Sequence, residues 1–186
     1  MNNSNTKLVF YGAVSLDGYL ARDDHSLDWL LGTEGEEEIG ATEFFSTIDI
    51  VLMGRKTYEQ IMLNLSDDDF PYNKGKECYV FSRSLTGSDN NVKFVNDDIV
   101  DFTKSLKKEK GKRIWIVGGG EVLYPLLQER LVDEFYIQFA PIILGSGIPL
   151  FLPSDIENEL KLLDVKHCKQ LAELHYELKY RSNGTS

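Results

Sequence analysis

Three consecutive glycines, Gly118-Gly119-Gly120, separate the apolar run Arg113–Val117 from a helix-forming segment, Glu121–Gln128, and no other feature restricts the fold so tightly. Glycine loses more conformational freedom on folding than any other residue. Three in a row mark a place where something must approach the main chain more closely than side chains permit. A buried strand that turns through glycine into a helix is the building unit of a parallel α/β sheet, whose ligands collect at the carboxyl ends of the strands. The chain makes a similar move twice more: Val51-Leu52-Met53 runs into Gly54-Arg55-Lys56-Thr57, and Val80-Phe81 runs into Ser82-Arg83-Ser84.

The rest of the pattern is consistent with such a sheet. Lys7–Ser15 reads as a buried strand ending at the turn-prone Asp17-Gly18, Ile50–Met53 as a central strand covered on both faces, and Glu77–Phe81 and Val92–Val95 as further strands. Helices are expected over Glu36–Thr47, Tyr58–Leu63 and Asp97–Lys108, the last with Asp97 or Asp98 near its N-cap. Asp23–Gly35 and Ser66–Lys76 read as loops, and Asp67, Asp68 and Asp69 as a solvated cap rather than a metal site. In the last third, Asp133–Ala140, Lys161–Lys169 and Glu173–Tyr180 read as longer strands. There Leu174, Tyr176, Leu178 and Tyr180 alternate with His175, Glu177 and Lys179. The expectation is a single domain over 1–186 with loose ends at 1–6 and 182–186, its sheet parallel first and closed by antiparallel strands.

Composition narrows the function classes. The net charge of −10 disfavours nucleic acid as a partner. No run approaches the roughly 18 apolar residues of a membrane span, and the polar start does not resemble a signal peptide. A cytoplasmic protein without membrane partners is expected. Cys78 and Cys168 read as buried free thiols rather than a disulfide. With His25, His167 and His175 they form no ligand-like spacing, so no metal is expected.

At the first junction Gly54 permits a tight turn, the Thr57 hydroxyl suits a phosphate oxygen, and Arg55, beside Lys56, offers a planar charged fork. The donors of Ser82, Arg83 and Ser84 suit a phosphomonoester. Either segment could equally be an ordinary cap or polar turn. The triple glycine suits close approach of a pyrophosphate. It is not the G-x-G-x-x-G fingerprint, and no acidic residue follows at the ribose-binding spacing, which leaves a dinucleotide without a Rossmann domain.

Six segments occur in one order across nearly the whole chain: Ser15-Leu16-Asp17-Gly18-Tyr19-Leu20-Ala21, Leu27-Asp28-Trp29-Leu30, Met53-Gly54-Arg55-Lys56-Thr57-Tyr58-Glu59, Ser82-Arg83-Ser84, Val117-Gly118-Gly119-Gly120-Glu121-Val122-Leu123, and Val132-Asp133-Glu134 through Ala140–Phe151. Together they resemble the dihydrofolate reductase superfamily, and more closely the branch holding the reductase domain of riboflavin-biosynthesis deaminase-reductases. The resemblance implies a three-layer α/β fold with a central, mixed but mostly parallel sheet of about eight strands, helices on both faces, and NADPH as cofactor. Ala13 and Val14 would meet the nicotinamide through backbone groups, and Trp29 would close over the cofactor. Gly54, Arg55, Lys56 and Thr57 would border the adenosine-side phosphates, with Arg55 near the 2′-phosphate. Ser82, Arg83 and Ser84 would add contacts there. Val117 and Gly118 would lead into a pyrophosphate cradle formed by Gly119, Gly120, Glu121, Val122 and Leu123, with a cis peptide between Gly118 and Gly119.

Hydride transfer also calls for a proton donor or orienting acid. Asp17, at the mouth of the first strand, is one candidate; its alternative is an Asp-Gly turn capping local amides. Glu38 is the other, fifteen residues before Met53, about where folate reductases carry the acid that pairs with the pteridine ring. Its alternative, with Glu36 and Glu37, is a solvated helix start. No zinc signature of a deaminase is present, so a stand-alone domain is expected. The function expected is NADPH-dependent reduction of a small heterocyclic or ribosylamino-pyrimidine or pteridine-like substrate. A true dihydrofolate reductase and a non-catalytic dinucleotide-binding protein are the alternatives. Ala140–Phe151 reads as a buried β-turn or a partner surface, and the resemblance implies a homodimer.

Overall fold

A computed structural model of the chain describes residues 5–35, 41–63, 70, 72, 74–89 and 91–180. The Glu36–Glu38 run, Asp67–Asp69 and the end 182–186 lie outside these residues. In chain order the elements are β1 (Lys7–Ser15), β2 (Tyr19–Ala21), α1 (Ala41–Ser46), β3 (Ile50–Gly54), α2 (Arg55–Met62), β4 (Glu77–Phe81), β5 (Gly87–Ser88), β6 (Lys93–Val95), α3 (Ile99–Leu106), β7 (Arg113–Gly118), α4 (Gly120–Gln128), β8 (Glu134–Ala140), β9 (Ile148–Pro149), β10 (Leu160–Cys168) and β11 (Leu171–Leu178). Nine strands form one sheet in the order β10-β11-β8-β1-β7-β3-β4-β6-β5, and β2 pairs with β9. The six strands from β8 to β6 run parallel. Antiparallel pairs close both sides, β11 with β8 and β5 with β6.

The central strands are continuous apolar runs because each is covered on both faces. One face packs Leu8, Phe10, Ile50, Leu52, Ile114 and Ile116 against Leu106 of α3 and Val122, Leu123 and Leu126 of α4. The other packs Val9, Tyr11, Val51, Met53 and Trp115 against Phe44 of α1 and Tyr58 of α2. Burying each such side chain contributes about 1.5–3 kcal/mol. The expected three layers are therefore present, with more strands than the eight anticipated. Order begins earlier than expected: Asn5 bridges to Lys110 and Thr6 is buried. Cys78 and Cys168 form no disulfide; Cys78 is buried as expected, Cys168 only half-buried at the end of its strand, and burial pushes the Cys78 thiol up to about 12. No helix among the described residues is long and apolar enough to cross a membrane.

The parallel run puts the carboxyl ends of six strands along one edge. Along that edge the two middle strands part. The β1–β7 register covers only Lys7↔Arg113 to Phe10↔Ile116, while β1–β8 continues to Ser15↔Ala140. Beyond Ile116, β7 shifts register against β3 so that Met53 meets Gly118. The Trp115 indole donates to the Tyr11 carbonyl at 3.1 Å, just where the ladder ends. Gly12, Ala13 and Val14 thus line a gap whose far side is Val117-Gly118.

Candidate functional site

Two helices begin beside this gap. The N-caps of α2 and α4 are Gly54 and Gly119, and neither helix start receives a side-chain cap. The first N–H groups of both are therefore left for another partner, together with the positive ends of two helix dipoles. Gly119 has φ of 95°, which side chains rarely tolerate, and a Cβ there would lie 3.5 Å from the Thr57 hydroxyl. A Cβ on Gly54 would stand 3.1 Å from Val122. The glycines thus bring the two helix starts together. Gly118 is buried, yet a Cβ on it would meet nothing within 4 Å, so there is room beside its backbone.

The structure divides the expected cradle. The amides of Val122 and Leu123 donate to the Gly119 carbonyl at 2.9 and 3.0 Å and their side chains lie in the core, so these residues hold the turn in place. Gly119 and Glu121, with Gly54 to Thr57, form its accessible wall, while Gly118 and Gly120 are buried. The cis peptide expected between Gly118 and Gly119 is a point of correction: the described residues contain none. The glycine φ values turn the chain with trans bonds. Arg55 lies 3.4 Å from Glu59, and Lys56 lies 3.6 Å from Glu121, all four side chains solvent-accessible. Ser82 is buried, and its hydroxyl accepts from the amides of Ser84 and Leu85 at 3.3 and 2.9 Å. Arg83 and Ser84 are exposed on the turn this makes.

Asp17 is placed at the mouth of β1, with the hydrogen bonds of the capping alternative. It accepts from the Ser15 hydroxyl at 2.7 Å and from the amides of Leu144 and Gly145 at 3.0 and 2.7 Å. These bonds, led by Ser15, pull its carboxyl down to about 2. The Asp17 carboxylate clasps Ala140–Phe151 to the end of β1, helped by the Leu16 and Leu150 amides donating to Ile142 and Gly18. In that segment Leu150 is buried while Ile143 and Phe151 are exposed. A largely apolar pocket of about 320 Å³ opens beside the clasp, between Val14, Ile137, Phe139 and Phe151. Trp29 is buried against Ala140 and Leu171, and its indole nitrogen has no hydrogen-bond partner. Glu38 lies outside the described residues.

Sequence reasoning missed a polar layer on the α1 side of the sheet. Glu134 bonds Lys7, and also Arg113 at 3.0 Å. Burial opposes its charge, but Lys7 and Arg113 hold its pKa below the usual value. Tyr136 stacks on His175 with ring centroids 3.8 Å apart, and burial lowers the His175 pKa against the pull of Glu134. One row nearer the carboxyl edge, Gln138 donates to Tyr11 Oη at 2.6 Å and to Glu173 Oε2 at 2.9 Å. Burial, then the Glu173 charge, raises the Tyr11 pKa. The sequence held one usable signal, the polar Gln138 inside the otherwise apolar Phe135–Ala140.

The two open helix starts, the bare Gly118 and the nearby guanidinium of Arg55 fit a dinucleotide diphosphate. Known proteins bear on this arrangement. The model of the RibD C-terminal domain matches residues 6–175. Two Bacillus subtilis proteins, both of uncharacterized function, align over most of their lengths. YwjB is 44% identical over 171 residues, 91% of this chain and 97% of its own. YyaP is 32% identical over 173 residues, 89% of this chain and 90% of its own. Among solved structures, a candidate riboflavin biosynthesis protein of Shewanella sp. PV-4 superposes with a TM-score of 0.81 at 28% identity, covering 95% of this chain and 99% of that one. A Thermotoga maritima diaminohydroxyphosphoribosylaminopyrimidine deaminase/5-amino-6-(5-phosphoribosylamino)uracil reductase shares the fold, with a TM-score of 0.69 at 14% identity over 94% of this chain and 57% of its own length. The chain belongs to the RibD C-terminal domain family, with its dihydrofolate reductase-like fold.

Proposed function

We propose that the protein is an NADPH-dependent reductase that transfers hydride to a small heterocycle of the ribosylamino-pyrimidine or pteridine kind. The observation that carries this reading is the pair of uncapped helix starts, α2 and α4, beside the gap where β1 and β7 part. The backbone of Gly118 to Glu121 and of Gly54 to Thr57 would hold the diphosphate. Arg55, with Arg83 and Ser84, would take the 2′-phosphate. The backbone of Ala13 and Val14 would orient the nicotinamide at the gap, where β-strand walls exclude water. The bound cofactor supplies the hydride; the chain's own part is to position the acceptor against it. In this reading the protein acts in the cytoplasm as a homodimer joined through the last strands. The edge strand β10 leaves Leu162, Leu163 and Val165 exposed.

Titration of the purified chain with NADPH and with NADH, followed by fluorescence, tests the reading. NADPH should bind more tightly than NADH. Arg55→Ala should weaken NADPH by about tenfold or more, the worth of a charge-assisted pair, and leave NADH unchanged. If neither nucleotide binds at submillimolar concentration, the reading fails. A dinucleotide-binding protein without turnover is the second reading. It is favoured by Asp17, whose carboxylate is exposed and engaged in clasping a loop. Tight NADPH binding with no oxidation in a substrate screen would select it.

A further inference from the structure

The row that crosses the sheet at Ala13 carries two buried polar side chains to which the cofactor reading gives no role. Ala13, Gln138 and Glu173 are register partners across β1, β8 and β11, so their side chains share one face. Gln138 and Glu173 are only 7% and 6% exposed. Gln138 spends both amide hydrogens, one on Tyr11 and one on Glu173 Oε2. Glu173 Oε1 accepts no hydrogen bond from the described residues, and it is not among the fully buried side-chain atoms without a partner. Water or a ligand is therefore its remaining donor.

The next row toward the carboxyl edge supplies the complement. Ser15 and Ala140 are its register partners, and Trp29 packs over Ala140 and Leu171 on the same face. The Trp29 indole N–H is buried, and it too has no partner. A carboxylate oxygen open to a new donor and a buried donor without an acceptor therefore sit by neighbouring rows of one sheet face. Ala13, where the nicotinamide would end, is on the same face, two strands from Glu173.

We propose that Glu173, held in place by Gln138, reads the substrate, accepting an N–H from a planar heterocycle whose adjoining carbonyl accepts from Trp29. The class this selects is a cyclic amide edge, N–H beside C=O, as in pyrimidinones and pterins. This assignment deepens the reductase reading and rests on it for the direction from which hydride arrives. It moves substrate recognition to the last strand of the fold, away from Asp17, whose carboxylate is occupied.

The test titrates the full chain with isocytosine, which carries the N–H/C=O edge, and with its fully N-methylated analogue, which keeps the ring and carbonyl but has no N–H. Saturation-transfer NMR reads both titrations. Isocytosine should bind wild type at least about tenfold more tightly than the analogue, the worth of a hydrogen bond to a charged group. Glu173→Gln should erase that preference while NADPH affinity and the unfolding midpoint stay as in wild type. Equal binding of the two ligands to wild type overturns the assignment, as does binding of neither at millimolar concentration, or a preference that survives in Glu173→Gln. The wild-type ligand pair decides the matter even where the variant does not fold. Failure of NADPH to bind sinks the reductase reading instead, and leaves the isocytosine result to be read by itself.

Discussion

Helices α3 and α4 both follow parallel strands, both begin at the carboxyl edge of the sheet, and both cover the same face, yet their first turns are finished in opposite ways. At α3 the Asp98 carboxylate accepts from the amides of Val100 and Asp101 at 2.9 and 3.1 Å, so the chain satisfies its own orphan donors. At α4, and at α2 across the sheet, glycine stands in the capping position and no side chain turns back. A side-chain cap contributes about 0.5–2 kcal/mol. Of the three helices whose N-caps are described, two forgo it, and those two meet at the parting of β1 and β7. On the function proposed above, the difference separates a helix end that serves stability from ends kept for a ligand.

The most drastic way to break this comparison is Gly119→Val. A β-branched residue at a φ of 95° costs on the order of 1–3 kcal/mol, and its side chain would enter the space before Thr57. Nucleotide binding should vanish from the fluorescence titration, with a lowered unfolding midpoint. Gly54→Asp sharpens the comparison by building at α2 what α3 already has. Gly54 holds extended backbone, φ −80° and ψ 156°, suited to an N-cap. The new carboxylate should weaken NADPH by about tenfold or more through like-charge repulsion, and an unchanged affinity would remove the anion-site argument. Asp98→Ala makes the reciprocal change. It should cost about 1 kcal/mol of stability, about 2–4 °C in the thermal midpoint, and leave nucleotide affinity untouched.

The smallest effect belongs to the other aspartate that caps backbone amides. The Asp17 pKa is about 2 in the folded chain, below the roughly 3.9 of an unfolded aspartate. Its contribution is therefore complete above about pH 4 and lost as pH falls toward 2. Asp17→Asn should flatten that part of the curve of thermal midpoint against pH. An acid slope equal to that of wild type would remove Asp17 from the clasp.

Much of this was legible before any coordinates. The glycine junctions, the order of the six segments and an N-cap at Asp98 are local features, and local chemistry writes them into short stretches of sequence. What was not legible depends on register between distant segments. Glu173 meets Gln138, 35 residues away in the chain, only because β11 returns antiparallel beside β8, and alternation alone does not say which residue faces which. The parting of β1 from β7 is likewise a property of how two strands diverge, and nothing within Lys7–Ser15 announces it. Trp29 sits over the β8–β11 row because the loop that carries it is tied to the last hairpin: Gln170 donates to the Glu34 carbonyl at 3.2 Å. The helix expected over Glu36–Thr47 is described only as Ala41–Ser46, and Glu38 falls outside it.

That parting also has a mechanical meaning. The two halves of the sheet, β10-β11-β8-β1 and β7-β3-β4-β6-β5, are stitched at the middle by four register pairs gathered at the amino end, like a book bound along only part of its spine. The covers are stiff, being layered with helices, so compliance concentrates at the unbound end, where a small rotation about the short binding opens the widest angle. Phe10 and Ile116, the last pair on that binding, are core residues, and they mark where the open pages begin.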